Sequence, residues 1–316
     1  MALEKPKRKN EAENSQTTHG FSGMGGGPLS FVYTSPWWLV FMVLGWIYII
    51  YQMSGNPDYT AAFRALRQGV PLTLMLAASS YVLALVIGLF VGTVRAYPPQ
   101  PPETALPLNK RLFSFLQVGL YHVLSVYVEF MRGIPPLVLL LIAGFVIVPA
   151  IDNPIEDVIN ATILPLLRNF EPEMRDFNWK GQSFFTGFVG LSLFYGAFLS
   201  EVFRSGIQGV LQGQTDAAKS LGMTYIQTLR FVVIPQAIRA ILPELGNNMI
   251  SMIKDTSLVT ILGMKDITQA ARTWSGSQFT YVETYAVLSL IYLTLTVPGS
   301  LAIQVLERQL RKFALK

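Results

Sequence analysis

The 316-residue sequence has no cysteine and only two histidines, His19 and His122. Without thiols, disulfides, iron–sulfur clusters and thiolate catalysis are excluded. The two histidines stand alone and far apart, so a histidine-based metal centre lacks the ligands it would need. Charge is scarce as well. Asp, Glu, Lys and Arg make up 14% of the chain, against about 25% in an average soluble domain. Apolar residues take their place, at 51%, gathered in blocks between polar and proline-rich stretches. That distribution predicts an all-α polytopic membrane protein. The net charge of +5 does not point to nucleic acid, because the basic residues gather at the edges of the apolar blocks.

Crossing the hydrocarbon takes roughly 20 apolar residues. Six stretches come close, at 36–53, 70–94, 133–150, 184–204, 240–263 and 282–306. The third opens on Arg132-Gly133-Ile134-Pro135-Pro136, where the prolines break any helix arriving from 112–131. Residues 112–131 are therefore expected to be an amphipathic elbow near the membrane surface, with a separate span as the competing reading. Basic residues set the orientation. With the N-terminus inside, the cytoplasmic segments hold four groups: Lys5, Lys7, Arg8 and Lys9; Arg95, Lys110, Arg111 and Arg132; Arg204, Lys219, Arg230 and Arg239; Arg308, Arg311, Lys312 and Lys316. The external segments hold fewer, namely Arg64, Arg67, Arg168, Arg175, Lys180, Lys265 and Arg272. About six spans with both termini cytoplasmic follow. The polar, basic and then glycine-rich residues 1–35 are expected to be disordered. No small-residue cleavage pattern follows the first apolar segment, which reads as an uncleaved anchor. The run Pro98-Pro99-Gln100-Pro101-Pro102 reads as an extended cytoplasmic linker.

Between the fourth and fifth spans the chain reads Gly213-Gln214-Thr215-Asp216-Ala217-Ala218-Lys219-Ser220-Leu221-Gly222-Met223-Thr224-Tyr225-Ile226-Gln227. Its local signals predict two short helices with a bend. Thr215 is placed to cap the first, with Asp216 at its positive end. Ala217 and Ala218 favour helix and leave room for another surface to approach. Gly222 supplies the positive-φ stop, and Thr224 with Gln227 fits a capping box for a second helix. That helix is expected to run to Ile234 and end at Pro235. Gly213 to Ser220 nearly spells a phosphate-binding loop. Ala218 stands where its second glycine belongs, however, and a membrane span precedes it, so ATP binding by this chain is not expected.

The spacing of Asp216-Ala217-Ala218, Gly222 and Val232-Val233-Ile234-Pro235 resembles the loop of permease subunits in binding-protein-dependent ATP-binding-cassette importers. That loop reads Glu-Ala-Ala, three residues, Gly, nine residues, Ile-x-Leu-Pro; Asp, Val and Ile are conservative departures from it. The resemblance runs over about 66–306. Tyr127-Val128-Glu129-Phe130-Met131-Arg132-Gly133-Ile134-Pro135 is similar to the family's elbow, with Ile134 for the usual Thr. Gly196-Ala197-Phe198-Leu199-Ser200-Glu201-Val202-Phe203-Arg204 is similar to its Gly-Ala-Tyr-x-x-Glu-x-x-Arg stretch. Lys254-Asp255-Thr256-Ser257-Leu258 matches the polar amino-acid branch. Leu139 departs from the Gln common there, which leaves the particular amino acid open.

The resemblance implies an amino-acid importer permease with no chemistry of its own, in the bacterial inner membrane. It implies partners: two ATPase subunits carrying ATP and Mg, a second permease (identical or related) and a soluble binding protein. It makes Asp216, Ala217, Ala218, Lys219, Leu221 and Gly222 the ATPase-coupling surface. Glu129, Arg132, Gly133, Pro135, Arg204, Pro235, Lys254 and Asp255 become structural motif residues. The expected organisation is a tail at 1–35, an added anchor and external link at 36–65, the importer domain at 66–306 with coupling helices at 215–235, and a basic tail at 307–316. Another polar solute, such as an opine or polyamine, is the alternative within the class, and a secondary transporter or channel outside it.

Charges within spans each need a reason, because a charge at mid-bilayer costs about 2.5–3.5 kcal/mol on insertion scales. Glu201, Glu244, Lys254 and Asp255 are the candidates. Adjacent positions on a helix lie about 100° apart, so Lys254 and Asp255 cannot share one face; both are expected to pair with other helices or a partner. Glu201 is expected either to pair with Arg204 or to line a substrate cavity and meet an ammonium group. Thr256 and Ser257 are pathway candidates beside it. The acid-rich stretch at 152–181 reads as either a solvated loop or a docking site for the binding protein.

Overall fold

A computed structural model describes residues 37–99, 108–150, 161, 165, 183–210 and 212–314. The tail at 1–35, the linker beyond Pro99 and nearly all of the acid-rich stretch at 152–181 lie outside the described residues. Among the described residues every regular element is helical. The chain divides into two units, Met1–Ile50 and Tyr51–Lys316. Most of helix α1 (Trp37–Gly55) belongs to the first. It has no charged residue, and Phe41, Ile47, Tyr48 and Ile50 on it are exposed.

In the second unit, α2 (Pro57–Leu66) opens with Asn56, whose side chain accepts from the Asp58 amide, and with Pro57 at its first position, both favourable at a helix start. A 3₁₀ turn, Arg67–Gly69, leads into α3 (Val70–Ala96). Tyr59, Ala62 and Leu66 are buried, so α2 is packed into this unit.

The centre of the unit is the pairing of α3 with α6 (Ser183–Gln208). Two glycines permit it. A Cβ added at Gly88 would lie 2.7 Å from the Leu199 Cβ, and one at Gly92 would lie 2.5 Å from the Ser200 carbonyl oxygen. Small residues four apart on one face are how membrane helices approach closely when no hydrophobic force drives them together. Around this seam, Tyr81, Ala84, Leu139, Phe194, Tyr195, Leu199 and Met252 form one buried cluster. Leu76, Leu140, Leu191, Val259 and Met264 form another. The opposite face of α3 exposes Met75, Val82, Val86, Leu89 and Phe90. An apolar stripe of that extent is costly in water and suited to lipid.

Among the described residues three helical stretches are long and apolar enough to cross a membrane: Pro57–Ala96, Phe184–Gln208 and Tyr281–Leu310. They contain the expected spans 70–94, 184–204 and 282–306. The remaining expectations fare differently. The stretch at 112–131 lies in α4 (Leu108–Gly133), one continuous helix of 26 residues. At Pro135-Pro136 the chain turns into α5 (Pro136–Ile142), which continues through a π turn at Ala143–Ile147. Ser114–Gly133 and Pro136–Ala150 meet the length and composition test only together, as a pair bent by 117°. The break at the prolines is thus where the sequence places it. The stretch at 240–263 is not one apolar helix: α9 (Ile234–Asp255) carries Arg239, Glu244, Lys254 and Asp255, and a 3₁₀ segment, Thr256–Leu262, follows. Among the described residues, length and composition thus mark three spans, or up to four if the bent pair is one, and the shorter apolar helix Leu39–Gly55 covers most of the expected stretch at 36–53.

A helix not foreseen, α10 (Ile267–Gln278), lies in the segment read as external. Its signal was present. Asp266 accepts from the Thr268 and Gln269 amides as N-cap, the pattern of Asp followed three residues later by Gln. The last helix, α11 (Tyr281–Ala314), runs unbroken into the expected basic tail. The α3–α6 contact leaves no room for side chains, so Gly92→Val should destabilise the fold by about 1–3 kcal/mol, as overpacking does. Gly119→Val, at a position with open space around it, should have little effect. Thermal unfolding of the two variants in detergent compares them directly.

Candidate functional site

Helix α7 (Gln212–Ser220) follows α6, and its C-terminus is closed as the sequence predicts. The Gly222 amide donates to the Lys219 carbonyl at 2.9 Å and the Met223 amide to that of Ala218 at 3.2 Å. This pair of bonds is the Schellman closure, and Gly222 holds the φ of 78° that it requires. The capping box at Thr224 is complete: the Gln227 amide donates to Thr224 Oγ1, and Gln227 Oε1 accepts from the Thr224 amide. It starts α8 (Tyr225–Thr228).

Two local expectations are corrected. Thr215 lies inside α7, not at its cap, so Asp216 is in mid-helix instead of at the positive end. The helix begins earlier because Gln212, Gly213 and Gln214 continue in helical conformation. Pro235 also does not end a helix. The chain passes from α8 through a π turn, Leu229–Val233, directly into α9, with Pro235 in its first turn. A widened turn precedes the residue that has no amide to donate, and at the start of α9 that loss costs little.

Asp216, Ala217, Lys219, Leu221 and Gly222 are exposed, whereas Ala218 is buried. Leu221 is 82% exposed and Ile226 73%, with Tyr225 and Phe231 also on the surface. The segment thus shows an apolar ridge framed by Asp216 and Lys219. Tyr225 meets the ring of Tyr97, just past α3, edge to face at 6.5 Å.

Close by, charges join α3, α4 and α6. Glu201 receives Arg95 on Oε1 and Arg204 on Oε2, the latter through Nη2 at 2.6 Å and Nε at 2.9 Å. Arg95 is 8% exposed and also reaches Ser125 Oγ at 3.3 Å and Glu129 at 3.7 Å. Gln208 accepts from Arg204 and donates to the Ala96 carbonyl. The Glu201–Arg204 pair weighed from sequence is present, and Arg95, which carried no signal beyond its place at a span end, is the second cation on Glu201. Arg132 lies over the ring of Phe198, a cation–π arrangement. Pro135 caps α5, its carbonyl accepting from the Val138 and Leu139 amides. Gly133 has open space around it.

Deeper in the bundle, Asp255 Oδ2 accepts from the Tyr195 hydroxyl at 2.7 Å, while Lys254 is exposed. The two adjacent charges do face different ways. Thr256 is fully buried, its hydroxyl bonded to the Ile253 carbonyl; Ser257 is half-buried. Tyr81 donates to the Leu245 carbonyl at 2.5 Å. Neither tyrosine was singled out from sequence, since an aromatic in an apolar span carries no mark of a polar partner. Leu139 is packed in the cluster with Phe194 and Tyr195. Glu201 lies six residues further along α6 than Tyr195, the partner of Asp255, and is itself engaged by Arg95 and Arg204. Among the described residues no group of three or more His, Cys, Asp or Glu comes together to hold a metal.

Among the described residues, a helical bundle with lipid-suited faces and a capped helix pair on its surface defines a polytopic membrane protein. Residues 118–312 match the family described as "binding-protein-dependent transport system inner membrane component", and the chain belongs to it as a permease subunit of an ATP-binding-cassette importer. It is 29% identical to the probable amino-acid permease protein YxeN of Bacillus subtilis (strain 168), over 80% of this chain and 94% of that one. It is 30% identical to the glutamate/aspartate import permease protein GltK of Escherichia coli O157:H7, over 77% of this chain and 92% of that one. A crystal structure of an amino acid ABC transporter with histidines matches with a TM-score of 0.56 at 26% identity, covering 83% of this chain and 98% of the other. The MetNI methionine ABC transporter in an inward-facing form shares the fold, with a TM-score of 0.54 at 19% identity, covering 78% and 96%.

Removing one partner of a buried ion pair and leaving the other charge uncompensated costs about 3–5 kcal/mol. Arg204 still holds Glu201 after Arg95→Leu, so that variant should lose less, about 1–3 kcal/mol in unfolding experiments. Glu129→Gln should cost under about 1 kcal/mol, because the Glu129 side chain is 72% exposed and solvent screens its pair.

Proposed function

We propose that this chain is the membrane subunit of an ATP-driven amino-acid importer and does no covalent chemistry itself. It forms the translocation path with a second permease, and takes its energy from two separate ATPase subunits that carry ATP and Mg. A soluble binding protein delivers the substrate, and the assembly resides in the bacterial inner membrane with the 212–235 segment on the cytoplasmic side. The amino-acid reading draws on the named relatives and on Lys254-Asp255-Thr256-Ser257-Leu258.

The observation that carries the proposal is the displayed helix pair. Leu221, Tyr225 and Ile226 are too apolar to be left in water without a function, and the Schellman closure and capping box hold them in a fixed shape. A rigid apolar ridge suits insertion into a groove of a partner. Asp216, Ala217, Lys219, Leu221 and Gly222 surround the ridge, and Ala218 packs α7 back onto its own chain. Motion delivered there has a direct route inward. α7 is tied to α6 by sequence, α6 to α3 through Glu201–Arg95 and Gln208–Ala96, and α8 leads without a break into α9. Glu201, with both oxygens taken up by guanidinium groups, serves in this route, and Asp255, Thr256 and Ser257 stand nearer the centre of the path.

Gly222 is the test position. A side chain there meets no neighbour, so only the positive φ resists it. Gly222→Asp should leave insertion and thermal stability nearly unchanged, yet reduce copurification of the ATPase subunits and uptake of labelled amino acids by at least about tenfold. Gly222→Asn should retain more of both, since asparagine tolerates this conformation better than most side chains. Normal uptake by the Asp variant would refute the coupling assignment.

A further inference from the structure

The first residues of α3 mark the end of the bundle remote from Arg95 and the coupling segment. The 27 residues of α3 put roughly 40 Å between its two ends. At this remote end α2 and α10 are locked together. A Cβ on Gly69 would lie 2.6 Å from the backbone at Asp266 and Ile267, so the turn after α2 abuts the start of α10. The Ile267 amide donates to Thr73 Oγ1 at 3.2 Å, and Thr260 donates to the buried Asp266 at 2.7 Å. The two helices thus form a fixed platform, and a cavity of about 840 Å³ opens between them.

The platform is cationic. Arg64 and Lys265 line the cavity with Gln68, Gln269, Trp274 and Ser277, and no Asp or Glu is among its lining residues. Arg64, Arg67, Lys265 and Arg272 are all exposed, and among the described residues none of them enters an ion pair. Asp266 is buried and satisfied by Thr260 and by the Thr268 and Gln269 amides. That leaves Asp58 as the one exposed acid of α2 and α10.

Two residues beyond Ser277 the chain holds an aromatic side chain in a strained conformation. Phe279 has a φ of 57°, and among the described residues it is the one non-glycine with positive φ. Its amide closes α10 on the Ser275 carbonyl at 2.9 Å, a position that favours glycine or asparagine. The ring is also 79% exposed, so packing within the chain does not offset the strain. Strain of this kind gathers at binding sites. Tyr281 and Val282, both exposed, extend the apolar surface beside it.

We propose that this platform is the docking surface for the importer's soluble binding protein, with Phe279 as apolar anchor and Arg64 and Lys265 in a cationic rim. The inference rests on the importer reading above, in which substrate arrives from the side opposite the ATPases. A displayed aromatic beside a charged rim is the anatomy of a protein interface. The excess of cations gives the partner its chemistry: a face with acidic side chains around an apolar pocket. The cations need not converge on one group, because each meets its own acid across an extended contact and their summed field steers the approach.

The test uses the whole complex in lipid nanodiscs and the importer's binding protein, purified with bound amino acid. The readout is the concentration of binding protein that half-saturates its stimulation of ATP hydrolysis. Phe279→Gly should raise that concentration about tenfold or more. The same variant should be at least as heat-stable as the wild type, because glycine suits the positive φ, so misfolding does not mimic the effect. Arg64→Glu combined with Lys265→Glu should raise it similarly and flatten its rise with salt. Arg308→Gln, at the far end of α11, should leave it unchanged. Photoreactive benzoylphenylalanine in place of Phe279 should crosslink to the binding protein. Crosslinks confined to lipid, to a second permease or to this chain's own 152–181 stretch would overturn the proposal, as would unaltered titrations in both variants. Binding-protein-dependent uptake by the wild type with unaltered titrations removes the platform assignment alone. A wild-type complex that neither responds to binding protein nor takes up amino acids removes the importer reading with it.

Discussion

Helices α3 and α6 lie against one another with backbone in place of side chains at Gly88 and Gly92, and the rest of the packed unit is arranged around that seam. In lipid, apolar side chains gain nothing by leaving one hydrocarbon surface for another, so close backbone packing must do what the hydrophobic effect does in water. The flanking clusters contributed by α5, α9 and the 3₁₀ segment at Thr256–Leu262 extend this contact outward. α4 joins from the other side through Val128 against Val91 and Ala197. The same register brings Arg95 opposite Glu201. An ion pair of that kind is tolerable near a membrane only if both charges are satisfied at once. Here the glycines supply the proximity, and Arg204 and Ser125 complete the shell.

The chain is interrupted at Pro135-Pro136, at Gly222 and at Gly263, whose φ is also 78°. The segment at 212–235 is accordingly built of short helical elements joined by tight turns, with no long loop between them. α8, the π turn and α9 form one continuous helical run, and the partly buried Tyr195–Asp255 bond lies at its far end. Polar contacts of this type, few and fully partnered, fix which faces of α6 and α9 meet.

Much of the functional segment was legible in the sequence. Gly222 announces its own φ, and Thr224 with Gln227 announces its box, because such signals act over three or four residues. The same locality explains the two errors there. Thr215 has the chemistry of a cap, but nothing in the sequence shows that helix already precedes it. Pro235 stops a helix only if the preceding turn keeps its α geometry, and a π turn removes that condition. The helix at Ile267–Gln278 is marked only by Asp266 and Gln269, since it is too polar and short to register as an apolar block.

By itself the sequence determined the membrane character, the position of the apolar blocks, the proline break and the shape of the displayed helix pair. These depend on composition and on backbone preferences of neighbouring residues. Only the tertiary structure decided that Glu201 is shared between Arg204 and Arg95, that Asp255 takes Tyr195 as partner, and that Arg64 and Lys265 line one cavity. Arg95 and Glu201 are 106 residues apart. Their meeting depends on the rotation and register of two helices that glycines allow to touch, and no local pattern encodes that.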